Sequence, residues 1–336
     1  MIRIGLDTMG SDNSPAYEVE GALTALVETN GRFVVTLYGK RSVVEPLVSG
    51  KPGSQWVTIV DTPEVITMHD EPVAALKHKR DSSLVRGVLA LKAGEVDAFI
   101  SIGNTGAVMS ASTLELGRIK GVSRPMIGAQ FPRGGGGFTL VFDVGATVDA
   151  KAQWLKEYGI MGTVYAQEIF GVKNPTVGLL SVGEEKEKGN ALTAEAIPLL
   201  ENAGLNFIGN VEGRDILAGK ADVILCDGFT GNIILKFAES VLTSLRVRIK
   251  AYAAKGIVNK LKAAVTASVL RASLKDFDYQ EHGGVPLLGV NGVVIIGHGS
   301  STPRAIRTMM LRAEEMVEKN VVAVTRAALS TAGTNA

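Results

Sequence analysis

The sequence predicts an α/β protein: a three-layer α/β/α sandwich with a mainly parallel sheet and a protruding helical hairpin. Three observations carry this. Apolar strand-like runs alternate with helical patterns through most of the 336 residues, the signature of a parallel sheet covered on both faces. An apolar content of 46% over that length can bury a sizeable core, and residues 1–336 read as one domain. Four times a strand ends in a glycine turn carrying polar residues and opens directly into a helix.

In chain order the strands read as "RIGLD", "FVVTLYG", "WVTIVDT", "DAFISIG", "PMIGAQF", "FTLVFDVG", "TVGLLSVG", "LNFIGN", "DVILCDG" and "GVVIIGHG", with helices filling most of the gaps. Gly134–Gly137 connects two of them as a hairpin candidate. The four strand-to-helix turns are "ISIGNTGAVM", "LLSVGEEKEKGNA", "VILCDGFTGNIIL" and "VVIIGHGSSTPRAI". In a parallel sheet all four are expected at one carboxyl edge, where open α/β folds bind ligands. Helix starts leave N–H groups and partial positive charge facing outward, which suits an anion. A Thr or Asn at such a turn also serves as a simple cap.

Several function classes fall away. Lys plus Arg number 35 against 34 Asp plus Glu, so nothing in the net charge asks for nucleic acid. One cysteine, Cys226, excludes an intramolecular disulfide and a cysteine zinc site, and its apolar flank and neighbouring Asp227 read as a buried, inert thiol in a reducing cytoplasm. Histidines 69, 78, 282 and 298 show no metal-ligand spacing. No export signal or membrane-spanning run is read, so the chain is expected to be soluble. A Walker loop and a nucleophile elbow are absent, and "GHGSST" lacks the third glycine and the following strand of a dinucleotide fingerprint.

Anion cradles without an evident nucleophile make sense if the anion attacks. Inorganic phosphate attacking a thioester needs little help with its leaving group, because thiols have pKa values of about 8.5. The protein then has to orient phosphate and supply donors to the developing oxyanion.

At this point the sequence resembles the bacterial phosphate acyltransferases of phospholipid synthesis. The carrying stretches span nearly the whole chain: "DTMGSDNSP", "HDEPVAALKHKRDSSL", "DAFISIGNTGAVM", "DVGATVDA", "VGEEKEKGN", "FIGNVEGRDI", "DVILCDGFTGNIILK" and "GGVPLLGVNGVVIIGHGSS". The resemblance implies transfer of a fatty acyl group from acyl carrier protein to phosphate, a homodimer, no metal or redox cofactor, and a fold similar to isocitrate/isopropylmalate dehydrogenase and phosphotransacetylase. Ser11 stands where a second glycine is common, and Ser181 and Thr147 where asparagine is common. Ser11 would restrict its turn if that position needed φ > 0.

For phosphate, the candidates are Asn104, Thr105 and Gly106 with Ser300 and Ser301. His298 is a candidate donor to oxyanion or phosphate. The resemblance favours Lys79 with Ser82 or Ser83 as phosphate or phosphopantetheine contacts, and Lys188 is a second cation, oriented by pairing with Glu184 and Glu185. Asp12 and Asp227 are supporting residues that position a basic residue or backbone, and Asn232 is a further supporting residue. The plain alternatives are caps, a structural histidine and surface ion pairs.

Between Ser244 and Lys275 lie eight basic residues and no acidic one. Gly256 divides this stretch into the two helices of a hairpin over about 240–276, with Val258, Leu261 and Val265 starting an apolar stripe. A basic amphipathic hairpin suits an acidic membrane surface or an acidic carrier protein. Lys255, Lys260 and Lys262 are the candidate contacts, and the family's peripheral location beside glycerol-3-phosphate acyltransferase at the inner face of the cell membrane is the expected one. A phosphotransacetylase using acyl-CoA, a nicotinamide-dependent dehydrogenase and a non-catalytic membrane-surface scaffold are the competing readings.

Overall fold

A computed structural model describes residues 1–273 and 283–334 of the chain. The first stretch lays down β1 (Ile2–Asp7), α1 (Ala16–Glu28), β2 (Phe33–Gly39), α2 (Arg41–Val48), β3 (Val57–Asp61), α3 (Pro72–His78), α4 (Ser83–Lys92), β4 (Ala98–Ser101) and α5 (Thr105–Ala111). A hairpin of β5 (Met126–Pro132) and β6 (Phe138–Phe142) leads to α6 (Ala152–Phe170), β7 (Thr176–Leu180), α7 (Ala191–Glu201), β8 (Asn206–Val211), α8 (Asp215–Ala218) and β9 (Val223–Leu225). Two long helices follow, α9 (Gly228–Ala253) and α10 (Ile257–Ser273), and the chain closes with β10 (Val285–Leu288), β11 (Val293–Ile296), α11 (Pro303–Glu318) and α12 (Val321–Thr334).

All these strands form one sheet of order β3-β2-β1-β4-β11-β10-β5-β6-β9-β7-β8. The strands read as apolar runs because helices cover both faces. Alternation splits each strand between two cores. Ala98 and Ile100 of β4 and Val293 and Ile295 of β11 meet α1, α6 and α11 on one face. Phe99, Val294 and Ile296 meet α3, α4, α5 and the start of α9 on the other. The three-layer sandwich expected from the sequence is the one observed.

Strand β10 was not anticipated. Its Pro286 cannot donate to a ladder and argues against a strand interior. It is nonetheless held between β11 and β5, both antiparallel to it, with Pro286 opposite Ile295.

The directions correct one expectation. β3, β2, β1, β4 and β11 are parallel to one another. The β5–β6 hairpin, turned by Gly134–Gly137, reverses the sheet, and β9, β7 and β8 run parallel to β6. The four strand-to-helix turns therefore lie at two opposite edges, two at each. Strands of this length separate those edges by roughly 13–23 Å.

Gly256, at φ 150°, breaks the hairpin where the sequence placed the break. Only Gly228 and Gly231 of α9 are buried. The two helices pack on each other, and β10 re-enters the sheet at Val285 opposite Ile296, beside the His298 turn. Lys275 and His282 lie outside the described residues.

Candidate functional site

At the first edge, β4 and β11 are neighbours and parallel, so α5 and α11 start side by side. The turn after β1 joins them, because Asp12 N–H donates to Gly299 O at 3.0 Å. Gly10, at φ 96°, is required there, since a Cβ would meet Ile66 O at 2.8 Å.

Asn104 is the cap of α5. Its Oδ1 accepts from Ala107 N–H at 3.1 Å, and its Nδ2 donates to the carbonyls of Thr67, Met68 and Asp70. The side chain thus ties the 67–70 turn to the cradle, leaving backbone and Thr105 to face outward. Thr105 is exposed and Gly106 follows it, tight against Pro72.

On β11's side, His298 Nδ1 accepts from Ser300 N–H at 3.3 Å and lies 2.7 Å from Ser300 Oγ. A backbone N–H can only donate, so a neutral ring with Nδ1 accepting carries its proton on Nε2. Ser301 N–H donates to His298 O at 2.8 Å, while its Oγ is buried with no hydrogen-bond partner among the described residues. Such an orphan hydroxyl at a helix start calls for an acceptor.

Of the other first-edge candidates, Lys79, Ser82 and Ser83 are committed. Lys79 Nζ bonds Asp70 Oδ2 at 2.6 Å and Val65 O at 2.9 Å. The bond holds the Asp70 carboxyl down at about 2. Ser82 caps α4, and buried Ser83 hydrogen-bonds Asp7. Asp12 is exposed beside Gly299.

At the opposite edge, Asp227 caps α9, accepting from Thr230 N–H and Oγ1–H, each at 2.8 Å. Asn232, one turn on, lies over Gly145. The 181–190 turn is fixed through backbone: Lys188 O accepts from Ser181 Oγ and Asn210 Nδ2, both at 3.1 Å. Lys188 itself is exposed and forms no ion pair among the described residues. The expected pairing with Glu184 and Glu185 is not found; Glu184 pairs with Lys220 at 2.8 Å. A cleft of about 350 Å³ opens here between Leu179, Ser181, Asn190, Thr193, Asp227 and Thr230. Cys226 is buried, its thiol pushed well up by burial, in keeping with an inert role.

Three buried acids held above the usual carboxylate range escaped the sequence reading. Burial pushes Asp7 up to about 6, against bonds from Ser83, Met9 N–H and Ser101 Oγ. Burial likewise raises Asp143 to about 6, although Ile127, Ala146 and Thr147 N–H groups donate to it. Glu18 is raised to about 7 by burial. An acid closing an apolar run, as in "RIGLD" and "TLVFD", was the available signal for the first two.

Lys255, Lys260 and Lys262 are exposed around the tip of the hairpin, beside outward-facing Ile257, Val258, Leu261 and Val265. Among the described residues no group of His, Cys, Asp and Glu suited to a metal was found, and no helix is long and apolar enough to cross a membrane.

A family model described as "Fatty acid synthesis protein" matches residues 2–324. A phosphate acyltransferase of Chlorobaculum parvum is 46% identical over 330 residues, covering 96% of this chain and 97% of its own. One from Brevibacillus brevis is 43% identical over 320 residues, covering 95% of each. Among solved structures, a phosphotransacetylase from Streptococcus pyogenes superposes with a TM-score of 0.60 at 18% identity, over 94% of each chain. A branched-chain phosphotransacylase from Enterococcus faecalis V583 gives 0.57 at 14%, covering 94% of this chain and 99% of that one. These two likenesses bear on the fold alone.

Proposed function

We propose that this chain, which belongs to the phosphate acyltransferase family, reversibly transfers a long-chain fatty acyl group from acyl carrier protein to inorganic phosphate, yielding acyl phosphate for phospholipid synthesis. The observation that carries the site is that the turns after the adjacent parallel strands β4 and β11 open into helices at one edge, the second holding the orphan Ser301 hydroxyl. Phosphate sits against the backbone of Thr105 and Gly106 and the hydroxyls of Thr105, Ser300 and Ser301. One phosphate oxygen attacks the thioester carbonyl carbon, a C–O bond forms, and the C–S bond breaks as the carrier's thiol departs as thiolate. His298, donating through Nε2–H, stabilises the oxyanion on the way. Nothing in this sequence of steps calls on a cofactor.

The second cluster finds a place in the homodimer that the family resemblance implies. Within one chain Lys188 and the His298 turn are on opposite edges; from a second copy Lys188 supplies the mobile cation, where Lys79 is already held by Asp70. Exposed Phe229, Ile233, Phe237 and Val241, spaced four apart along α9, offer the apolar ridge for that pairing. The basic hairpin holds the enzyme, cytoplasmic and without nucleic acid as partner, at the inner membrane face, where glycerol-3-phosphate acyltransferase consumes the product.

The test uses purified protein with an acyl carrier protein thioester and phosphate, following free thiol and acyl phosphate. Phosphate-dependent release from the carrier supports the reading. Release from acyl-CoA alone moves it to a phosphotransacetylase, and release from neither leaves a scaffold.

A further inference from the structure

Glu18 is fully buried in the first turn of α1, where one oxygen accepts from the Ser11 hydroxyl and the other has no partner among the described residues. A buried carboxyl with unmet acceptor capacity costs stability that an apolar side chain of similar size would not. Its value must therefore lie elsewhere.

The surroundings point to the cradle. α1 and α11 follow parallel strands and start at the same edge, and they touch so closely that a Cβ on Gly21 would meet Pro303 O at 2.7 Å and Ile306 Cβ at 2.6 Å. Glu18 lies one turn before Gly21 on the buried face of α1, toward the start of α11. Ser11 lies in the β1–α1 turn, braced by Ser14 Oγ donating to its carbonyl at 3.1 Å, and the next residue donates its N–H to Gly299 O. Position 11 does not adopt a positive φ, so the turn has no need of a glycine there, and the hydroxyl is the feature that serine adds.

We propose that Ser11 and Glu18 are a positioning pair: Glu18 anchors Ser11, Ser11 sets the Asp12–Gly299 seam, and the seam places the His298–Ser301 turn for phosphate. The pair touches no reacting atom. This rests on the assignment of phosphate to the first edge.

The test is steady-state kinetics of S11A, S11T, E18Q and E18L, with S301A as a check on the site. S11A is expected to raise KM for phosphate about three- to tenfold, leaving KM for the acyl donor unchanged, as loss of one hydrogen bond in the support of the site would do. S11T keeps the hydroxyl and restores the native value, E18Q keeps an acceptor and stays near it, and E18L matches S11A. If E18L does not fold, S11A against S11T decides. Unchanged phosphate KM in S11A, or equal loss against both substrates with a lowered Tm, overturns the pair if S301A still raises phosphate KM. If S301A leaves phosphate KM unchanged as well, the first-edge assignment fails, and the pair with it.

Discussion

The two edges of the sheet are built alike and equipped differently. Each has a buried aspartate where an apolar strand ends, Asp7 as the last residue of β1 and Asp143 just after β6, and each opens into capped helices. The first edge gathers Thr105, the His298–Ser300 couple and a Ser301 hydroxyl with no partner among the described residues. The second carries exposed Lys188 in the 181–190 turn, which borders a cleft walled partly by leucines. The contrast teaches that a strand-to-helix turn is only a mount, and that what its side chains leave unpaired decides its use.

The comparison breaks most sharply at His298. H298A is expected to lower kcat/KM for acyl phosphate formation about 10²–10³-fold, the usual loss on deleting an oxyanion donor. A fall below tenfold would mean the ring serves the loop alone. K188A should reduce activity less, by about tenfold, and mixing it with H298A asks whether the edges cooperate. In a randomly exchanged equimolar mixture about half of the dimers are mixed and each of these keeps one of its two composite sites intact, about a quarter of all sites, so activity is expected to recover toward that fraction. Mixtures as inactive as their parents would assign the edges separate tasks.

A smaller effect should come from the hairpin, which carries charge outside both edges. Changing Lys255, Lys260 and Lys262 together to glutamate should release the protein from anionic vesicles in a flotation assay while sparing turnover of soluble substrate. Retained flotation would remove the hairpin from the membrane.

N104A should cost about 1–2 kcal/mol in chemical denaturation through loss of the α5 cap, with further loss from its three carbonyl contacts. The last difference concerns pH. Asp7 has its folded pKa raised to about 6 from an unfolded 3.8, so its contribution is fully present below pH 4 and is lost as pH rises through 6. D7N should flatten that part of the Tm profile, by the equivalent of at most roughly 3 kcal/mol. A D7N profile parallel to the native one between pH 4 and 6 would show that burial does not shift the group.

Much of this was legible in the chain. The strands announced themselves because burial on both faces demands apolar runs, and Gly256 and the Gly134–Gly137 turn broke the pattern where the structure breaks. The two-edged arrangement was not read, although the clue was printed: a hairpin of β5 and β6 reverses every strand that then pairs parallel to β6. Pairing order is a long-range property that periodicity does not encode, and Pro286 concealed β10 altogether. For the site, residue types were legible and their occupations were not. Asn104 and Lys79 have the right chemistry for an anion, and only the fold reveals that Asp70 and its neighbours already engage them.

The seating of β11 beside β4 bears on how the chain comes off the ribosome. Ala98 pairs with Val293, so the first cradle joins strands about 200 residues apart, and the β1–α1 turn leans on Gly299 across a still longer stretch of chain. At about 5–20 residues per second, the early strands wait roughly 10–40 s for their neighbour. The second edge draws on a stretch ending near α9 and can close while the first still stands open. Asn104 and the cap of α5 are in place long before His298 is made, and the first-edge cradle is among the last features the nascent chain completes.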